Sequence, residues 1–88
     1  MVYEMAIVAH ADLDDEKMDV IKNIAPMVVA DGNGEILVQD DWGVRTFGQP
    51  TERGVKRGRY FYFMYRASGK ANAEITRRLG INEDVIKS

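Results

Sequence analysis

The chain has 88 residues, of which 45% are hydrophobic and 30% charged, and its formal net charge at pH 7 is −2. This length suits one small domain over residues 1–88, and the composition is that of an ordinary globular protein. The sequence contains no cysteine, which excludes disulfide bonds and thiolate metal sites. No apolar run approaches the roughly 20 residues of a membrane span, and no secretory leader is expected.

Charge is distributed unevenly along the chain. Residues 1–44 carry ten acidic and two basic side chains, a net charge of −8, whereas residues 45–88 carry ten basic and four acidic ones, a net charge of +6. A basic half within an acidic protein predicts a surface that binds a polyanion. Charges solvated on separate faces would give the same counts, so this alternative stays open.

The first half of the chain predicts a strand and then a helix. In residues 2–10, Tyr3, Met5 and Ile7 fall on one parity and Glu4, Ala6 and Val8 on the other, which indicates a strand. Aspartates that suit a helix start follow, and apolar residues recur from Met18 to Val28 at the spacing of one helix face. We expect Gly32 and Gly34 to supply the positive φ of the turn that ends this helix.

The second half predicts a hairpin, a second helix and a short last strand. Residues 35–48 form a second strand with a bulge or bend near Gly43, and a polar loop leads to a third strand at 58–67. A helix capped by Ser68 is expected from about residue 70 to 79. The final "DVIKS" predicts the first residues of a fourth strand, which we expect to be truncated.

The order β-α-β-β-α-β predicts an α+β fold with an antiparallel sheet and both helices on one face, because two right-handed crossovers interleave around a hairpin. Alternate residues of the third strand then divide between the two faces of the sheet. We expect Phe61, Phe63 and Tyr65 beneath the helices. The open face is expected to present Tyr60, Tyr62, Met64 and Arg66.

The residue types needed for catalysis or metal binding are scarce. His10 is the only histidine, and serine occurs only at Ser68 and Ser88, which disfavours a catalytic triad. His10, Asp12 and Asp14 are metal-ligand types, but a capped helix start explains the same residues. We therefore expect no enzymatic activity, no metal, no cofactor and no small-molecule substrate.

The RNA-recognition motif shares this element order and is one alternative for the fold. Its third-strand signature, laid on residues 57–64, matches only at Arg57, Gly58 and Phe61. The match is partial, although stacking of bases on Tyr60 or Tyr62 stays physically possible.

Four segments match a known family pattern in the same order along the chain. Tyr3 and Glu4 stand on the first strand, and "DDWGVRTFGQP", "GRYFYFMYR" and "INEDVIKS" follow. Together they resemble the bacterial ribosomal protein six family of the small subunit. Gln49 and Thr51 depart from the tyrosine and isoleucine that the family usually has around this proline.

The resemblance implies a ferredoxin-like sandwich in a cytoplasmic or organellar ribosome, bound to the central domain of small-subunit ribosomal RNA together with ribosomal protein eighteen. RNA affinity comes largely from phosphate neutralisation, so an acidic chain should bind RNA poorly by itself. A basic partner protein beside the acidic half would offset that charge. Phosphate contacts are expected from Arg45, Arg53, Lys56, Arg57 and Arg59. The partner protein is expected to contact Tyr60, Tyr62, Met64, Arg66 and, if it points outward, Trp42. The alternative is a ferredoxin-like regulatory module that self-associates or binds a ligand without RNA.

Overall fold

The computed structural model describes residues 1–51 and 53–87. Its elements are, in chain order, β1 (Val2–His10), α1 (Asp15–Asp31), β2 (Glu35–Thr46), β3 (Arg57–Arg66), α2 (Gly69–Gly80) and β4 (Val85–Lys87). The strands form one antiparallel sheet in the order β2-β3-β1-β4. The predicted α+β arrangement is therefore confirmed. Neither helix of the described chain combines the length and the apolar character needed to span a bilayer.

Both helices begin at the kind of side-chain cap that the sequence predicts. Asp14 precedes α1, and its carboxylate accepts a hydrogen bond from the Lys17 amide at 2.8 Å. Ser68 precedes α2, and its hydroxyl oxygen accepts one from the Ala71 amide at 3.1 Å. Each cap satisfies a backbone donor that the helix start leaves unpaired, and so stabilises the fold by about 1 kcal/mol.

The turn after α1 differs from the prediction. Positive φ occurs at Asn33 (58°) and at neither Gly32 nor Gly34. Gly34 is needed for another reason, because a Cβ built on it would lie 2.4 Å from the Arg66 carbonyl oxygen and 2.9 Å from Val29 Cγ1. The prediction was wrong because a close approach between distant segments leaves no mark in a local turn pattern.

Strand β3 is hydrogen-bonded to a neighbour along each edge. On one edge it pairs with β1, where Phe61 lies opposite Ile7. On the other edge it pairs with β2, whose register shifts between Asp41 and Gly43. Gly43 has φ 78°, which confirms the predicted bulge. The fixed register on both edges determines which β3 side chains face the helices.

The core lies between the helices and one face of this sheet, as predicted. Phe61, Phe63 and Tyr65 are at most 1% exposed, and α1 and α2 cover them with side chains such as Ile21 and Ile75. Burying an apolar side chain of this size stabilises the fold by roughly 1.5–3 kcal/mol. The core residues of β3 thus hold both helices on the same side of the sheet.

The last strand is short. Within the described residues, β4 spans three positions and pairs with β1 opposite Val8 and Ala9. The β1 end is also tied to the preceding turn, because the His10 amide donates to the Asp84 carbonyl oxygen at 3.0 Å. Ser88, which was predicted to extend this strand, lies outside the described residues.

Replacing Gly34 with alanine is expected to destabilise the fold by about 1–3 kcal/mol, because the new Cβ would overlap the β3 backbone. Gly48→Ala is the matched control, since nothing lies within 4 Å of its Cβ position. Urea unfolding followed by circular dichroism gives both free energies. Equal stability of the two variants would contradict the close approach of Gly34 to Arg66.

Candidate nucleic-acid and protein interfaces

The open face of the sheet carries a row of aromatic side chains. The Trp42 and Tyr62 rings stack with their centroids 5.2 Å apart and their planes 7° from parallel. Tyr60 contacts Phe47 edge-on, with centroids 6.4 Å apart. Met64 continues the row and is half-buried, as are both tyrosines. The structure thus brings together four residues predicted to contact a partner, and we call this surface the aromatic face: Trp42, Tyr60, Tyr62 and Met64.

Trp42 lies on this face by ordinary alternation, because Asp40, two positions before it, lies opposite Tyr62 on the same face, and the β2 bulge changes the alternation only beyond it. Asp41 lies opposite Phe61 and Gly43 lies opposite Tyr60, so Trp42 is the extra residue between two successive ladder positions. An extra residue shifts the phase of side-chain alternation beyond it. The Gly43 amide donates to Asp41 Oδ1 at 2.9 Å and closes the bulge. Trp42 is 44% exposed, which fulfils the condition that its side chain points outward.

Carboxylates border the aromatic face. In the ladder, Asp40 lies opposite Tyr62, and Glu4 lies opposite Met64 on the same side of the sheet. Desolvation raises the pKa of the Tyr62 hydroxyl, and the Glu4 and Asp40 carboxylates raise it further. Aromatic rings beside carboxylates form a surface that attracts cationic side chains and repels phosphate.

Arg66 lies at one end of the open face, as predicted. Its Nη1 is 3.4 Å from Oε1 of Glu35, which lies opposite it on β2, and both side chains are more than half exposed. An ion pair this open to solvent contributes little to stability. The guanidinium can therefore exchange Glu35 for another acceptor at little cost.

Arg59 lies on the other side of the sheet from the aromatic face. Its guanidinium carbon is 5.7 Å from the centre of the Phe61 ring. Its Nε and Nη2 donate to the two carboxylate oxygens of Asp41. This hydrogen-bonded pairing lowers the pKa of Asp41 and raises the pKa of Arg59. Of the five cations predicted to contact phosphate, Arg59 is thus already bound to a carboxylate.

The other four predicted phosphate contacts lie where β2 leads into β3. At this end of the sheet Arg45 lies opposite Gly58, and Arg57 opposite Thr46. All four side chains are exposed, and none forms an ion pair with a described residue. We call them the hairpin-end cations: Arg45, Arg53, Lys56 and Arg57.

Backbone hydrogen bonds fix the position of the hairpin-end cations. The Phe47 amide donates to the Lys56 carbonyl oxygen at 2.8 Å, which extends the pairing of the two strands past Thr46. Arg45 lies between the two surfaces, since its guanidinium carbon is 5.8 Å from the centre of the Trp42 ring. The two candidate interfaces therefore meet at Arg45.

The roles of two carboxylates, Glu4 beside the aromatic face and Asp41 bound to Arg59, were not predicted from the sequence. The alternation that places Tyr62 on the open face also predicts Glu4 there, through its position on β1. Asp41 had no comparable signal, because its partner Arg59 is 18 positions away and the contact depends on the strand register. Within the described residues, no group of acidic or histidine side chains is arranged to hold a metal ion.

Comparison with known proteins decides the family of the chain. The family model described as Ribosomal protein S6 matches residues 2–88. The chain belongs to the ribosomal protein S6 family. It is 39% identical over 87 residues to the small ribosomal subunit protein bS6 of Sulfurovum sp. (strain NBC37-1), and 33% identical over 86 residues to that of Citrifermentans bemidjiense. These alignments cover 97% and 98% of this chain but 66% and 63% of the relatives, so the chain spans about two thirds of their length.

A solved structure supports the same fold. The crystal structure of 30S ribosomal protein S6 from Thermotoga maritima superposes with a TM-score of 0.85, covering 98% of this chain and 80% of that one. At 16% sequence identity the likeness concerns the fold alone. The ferredoxin-like sandwich implied by the sequence resemblance is confirmed.

The Asp41–Arg59 pair is expected to make stability depend on pH. The pKa of Asp41 is lower in the folded chain than in the unfolded one, so its contribution is present above the unfolded pKa and is lost as the pH falls through the folded pKa. Asp41→Asn keeps an oxygen for the Gly43 amide but removes the charge. We expect it to lower the free energy of unfolding by about 0.5–1 kcal/mol near neutral pH.

The measurement is urea unfolding of both proteins at a series of pH values. The difference between wild type and Asp41→Asn should shrink as the pH falls from the unfolded pKa of Asp41 to its folded pKa, and should be lost below the folded pKa. Asp40→Asn is the control, because this neighbouring carboxylate forms no ion pair with a described residue. A difference for Asp41→Asn that stayed constant with pH would contradict a stabilising ion pair.

Proposed function

We propose that this chain is a structural component of the small ribosomal subunit, and that it binds the central domain of the ribosomal RNA together with ribosomal protein eighteen. Family membership supports the first part, and relatives named small ribosomal subunit protein bS6 are bacterial, which favours a cytoplasmic ribosome. The observation that carries the second part is the presence of two adjoining surfaces with different chemistry, a cationic hairpin end and an acid-bordered aromatic face. No catalytic step is assigned to any residue.

The hairpin-end cations are the part of the chain best suited to meet RNA. Arg77 and Arg78, by contrast, both donate to Glu74 and hold the pKa of this carboxyl down at about 2. Exposed cations without a carboxylate partner gain more from a phosphate, because binding releases counterions from the nucleic acid. Such contacts position the protein without reading the base sequence.

The aromatic face is better suited to a basic protein than to RNA. Trp42 and Tyr62 offer a stacked apolar surface, and exposed apolar patches mark interaction sites. Glu4 and Asp40 at its border would repel phosphate but would pair with lysine or arginine of a partner. A basic partner would also offset the net charge of −2, which disfavours RNA binding by the chain alone.

Retention of a labelled central-domain RNA fragment, across a salt series and with or without ribosomal protein eighteen, tests the RNA interface. Binding should require the partner and weaken steeply with salt. Replacing Lys56 and Arg57 with alanine should lower the slope of log affinity against log salt by about 1.5, roughly 0.7–0.9 for each lost phosphate contact. The matched control replaces Lys17 and Lys70, two exposed helix lysines, and should leave the slope unchanged.

Two outcomes would contradict this assignment. The first is an equal loss of slope in the experimental and control variants, which would mean that only net charge matters. The second is absence of RNA binding in every combination, together with dimerisation through Tyr60 and Tyr62, which would favour the self-associating module.

Fluorescence tests the protein interface, because Trp42 is the only tryptophan of the chain. A form of ribosomal protein eighteen without tryptophan should shift the Trp42 emission to shorter wavelengths as it covers the ring. Glu4→Gln combined with Asp40→Asn should weaken this binding about tenfold through loss of charge pairing. The control is Asp12→Asn with Asp19→Asn, which makes the same charge change on exposed residues away from the face. A shift produced by RNA alone would contradict a protein-binding role for this surface.

A further inference from the structure

A cavity of about 680 Å³ opens beside the hairpin-end cations. Its walls come from four places in the chain: the end of β1, the loop between β2 and β3, the turn after α2, and β4. They include His10, Arg53, Val55, Ile81, Asn82 and Lys87. Its volume lies in the range of pockets that hold small ligands. Arg53 belongs both to this cavity and to the hairpin-end cations, so the two are continuous.

Hydrogen bonds order the loop wall. The Thr51 amide donates to the Val55 carbonyl oxygen at 3.0 Å, and the Gly54 amide donates to the Thr51 carbonyl oxygen at 2.8 Å. The Val55 amide donates in turn to Thr51 Oγ1 at 3.2 Å. These bonds hold the turn that carries Arg53, so a ligand there would meet a largely preformed wall.

The opposite wall is ordered in the same way. The Asp84 amide donates to Asn82 Oδ1 at 2.8 Å, and the Val85 amide donates to the Asn82 carbonyl oxygen at 3.2 Å. Because Oδ1 of Asn82 is used within the turn, its side-chain NH₂ is the group left to face a ligand. This wall therefore offers a donor in a fixed position.

The chemistry of the walls combines an anion site with an apolar surface. Arg53 and Lys87 supply positive charge, and of the described lining residues only Glu83 carries a carboxylate. Ile81 is 72% exposed although it is large and apolar, and it lines the same cavity as Val55. A nucleotide would fit both parts of the cavity, because it joins an anionic phosphate to a planar base.

We infer that this cavity receives one unstacked nucleotide of the bound RNA. Its phosphate lies at Arg53 and Lys87, its base lies against Ile81 and Val55, and Asn82 donates to an acceptor on the base edge. Unpaired bases splayed out of a helix are the features by which proteins recognise RNA specifically. The inference rests on the proposed function in naming RNA as the source, since a free 5′-mononucleotide has the same chemistry.

Titration of the ¹⁵N-labelled protein with adenosine 5′-monophosphate, adenosine and inorganic phosphate tests the cavity directly. With the monophosphate, saturable chemical-shift changes should be concentrated at the amides of Val55, Ile81 and Asn82. Adenosine and inorganic phosphate should each bind more weakly. Shifts spread over all exposed cations, and equal for inorganic phosphate, would overturn the inference because they would reflect charge alone.

Single substitutions test the anion site and the apolar wall of the cavity one at a time. Arg53→Gln and Ile81→Ser should each weaken binding of adenosine 5′-monophosphate about tenfold, the size of one lost charged hydrogen bond or one lost apolar wall. Lys70→Gln and Val20→Ser are the controls, because they likewise replace a cation by glutamine and a branched apolar residue by serine, at exposed helix positions away from the cavity. Unaltered affinity in both cavity variants would overturn the assignment.

Competition identifies the source of the nucleotide. Addition of the ribosomal RNA fragment with ribosomal protein eighteen should displace adenosine 5′-monophosphate from the cavity. If the RNA complex forms but leaves the monophosphate bound, the cavity is a site for free nucleotides, and the RNA part of the inference is wrong while the proposed function stands. If the monophosphate saturates the cavity and RNA never binds, the proposed function fails and the nucleotide site remains.

Discussion

Strand β3 is paired along both edges, and its side chains therefore alternate between the helix layer and the open face without freedom to slip. Phe61, Phe63 and Tyr65 build the core on one side, while Tyr60 and Tyr62 are left on the other. A slip of one residue would exchange the two sets and bury the wrong face. The candidate protein interface thus exists because the same strand that builds the core has a second face that the helices do not cover.

The bulge in β2 adds a second constraint, since it shifts the phase of alternation beyond Trp42 and so places Arg45 on the open face beside that ring. Asp41 binds Arg59 on the helix side, whereas Trp42 stacks on Tyr62 on the open side. One arginine is thereby removed from the cations open to phosphate, and one aromatic ring is added to the aromatic face. The position of Arg45 thus depends on this local irregularity, whereas the opposite faces of Asp41 and Trp42 follow from regular alternation.

The features that could be predicted from the sequence are those encoded over a few residues. Periodicity indicated the helices and strands, and alternation assigned both faces of β3 correctly. Ser68 was a readable cap because its partner, the Ala71 amide, is three positions away. The family resemblance contributed the proposed function, since composition and periodicity alone predicted only a polyanion-binding surface.

The features that could not be predicted depend on contacts between distant segments. Gly34 is required by the Arg66 backbone, 32 positions further along the chain, rather than by the turn in which it lies. Arg59 carried the same sequence signal as Arg57, yet only Arg59 is bound by Asp41. The cavity beside the hairpin-end cations brings together residues from His10 to Lys87, and no local motif marks such an assembly.

We propose that two adjoining surfaces of one small sheet meet two different partners. Backbone amide exchange, measured residue by residue as ribosomal protein eighteen and then the RNA fragment are added, distinguishes the two surfaces. The protein partner should protect amides around Trp42, Tyr62 and Met64, and RNA should then protect those of the β2–β3 loop and the start of β3. Protection of the aromatic face by RNA, or of the hairpin end by the protein partner alone, would contradict this proposal.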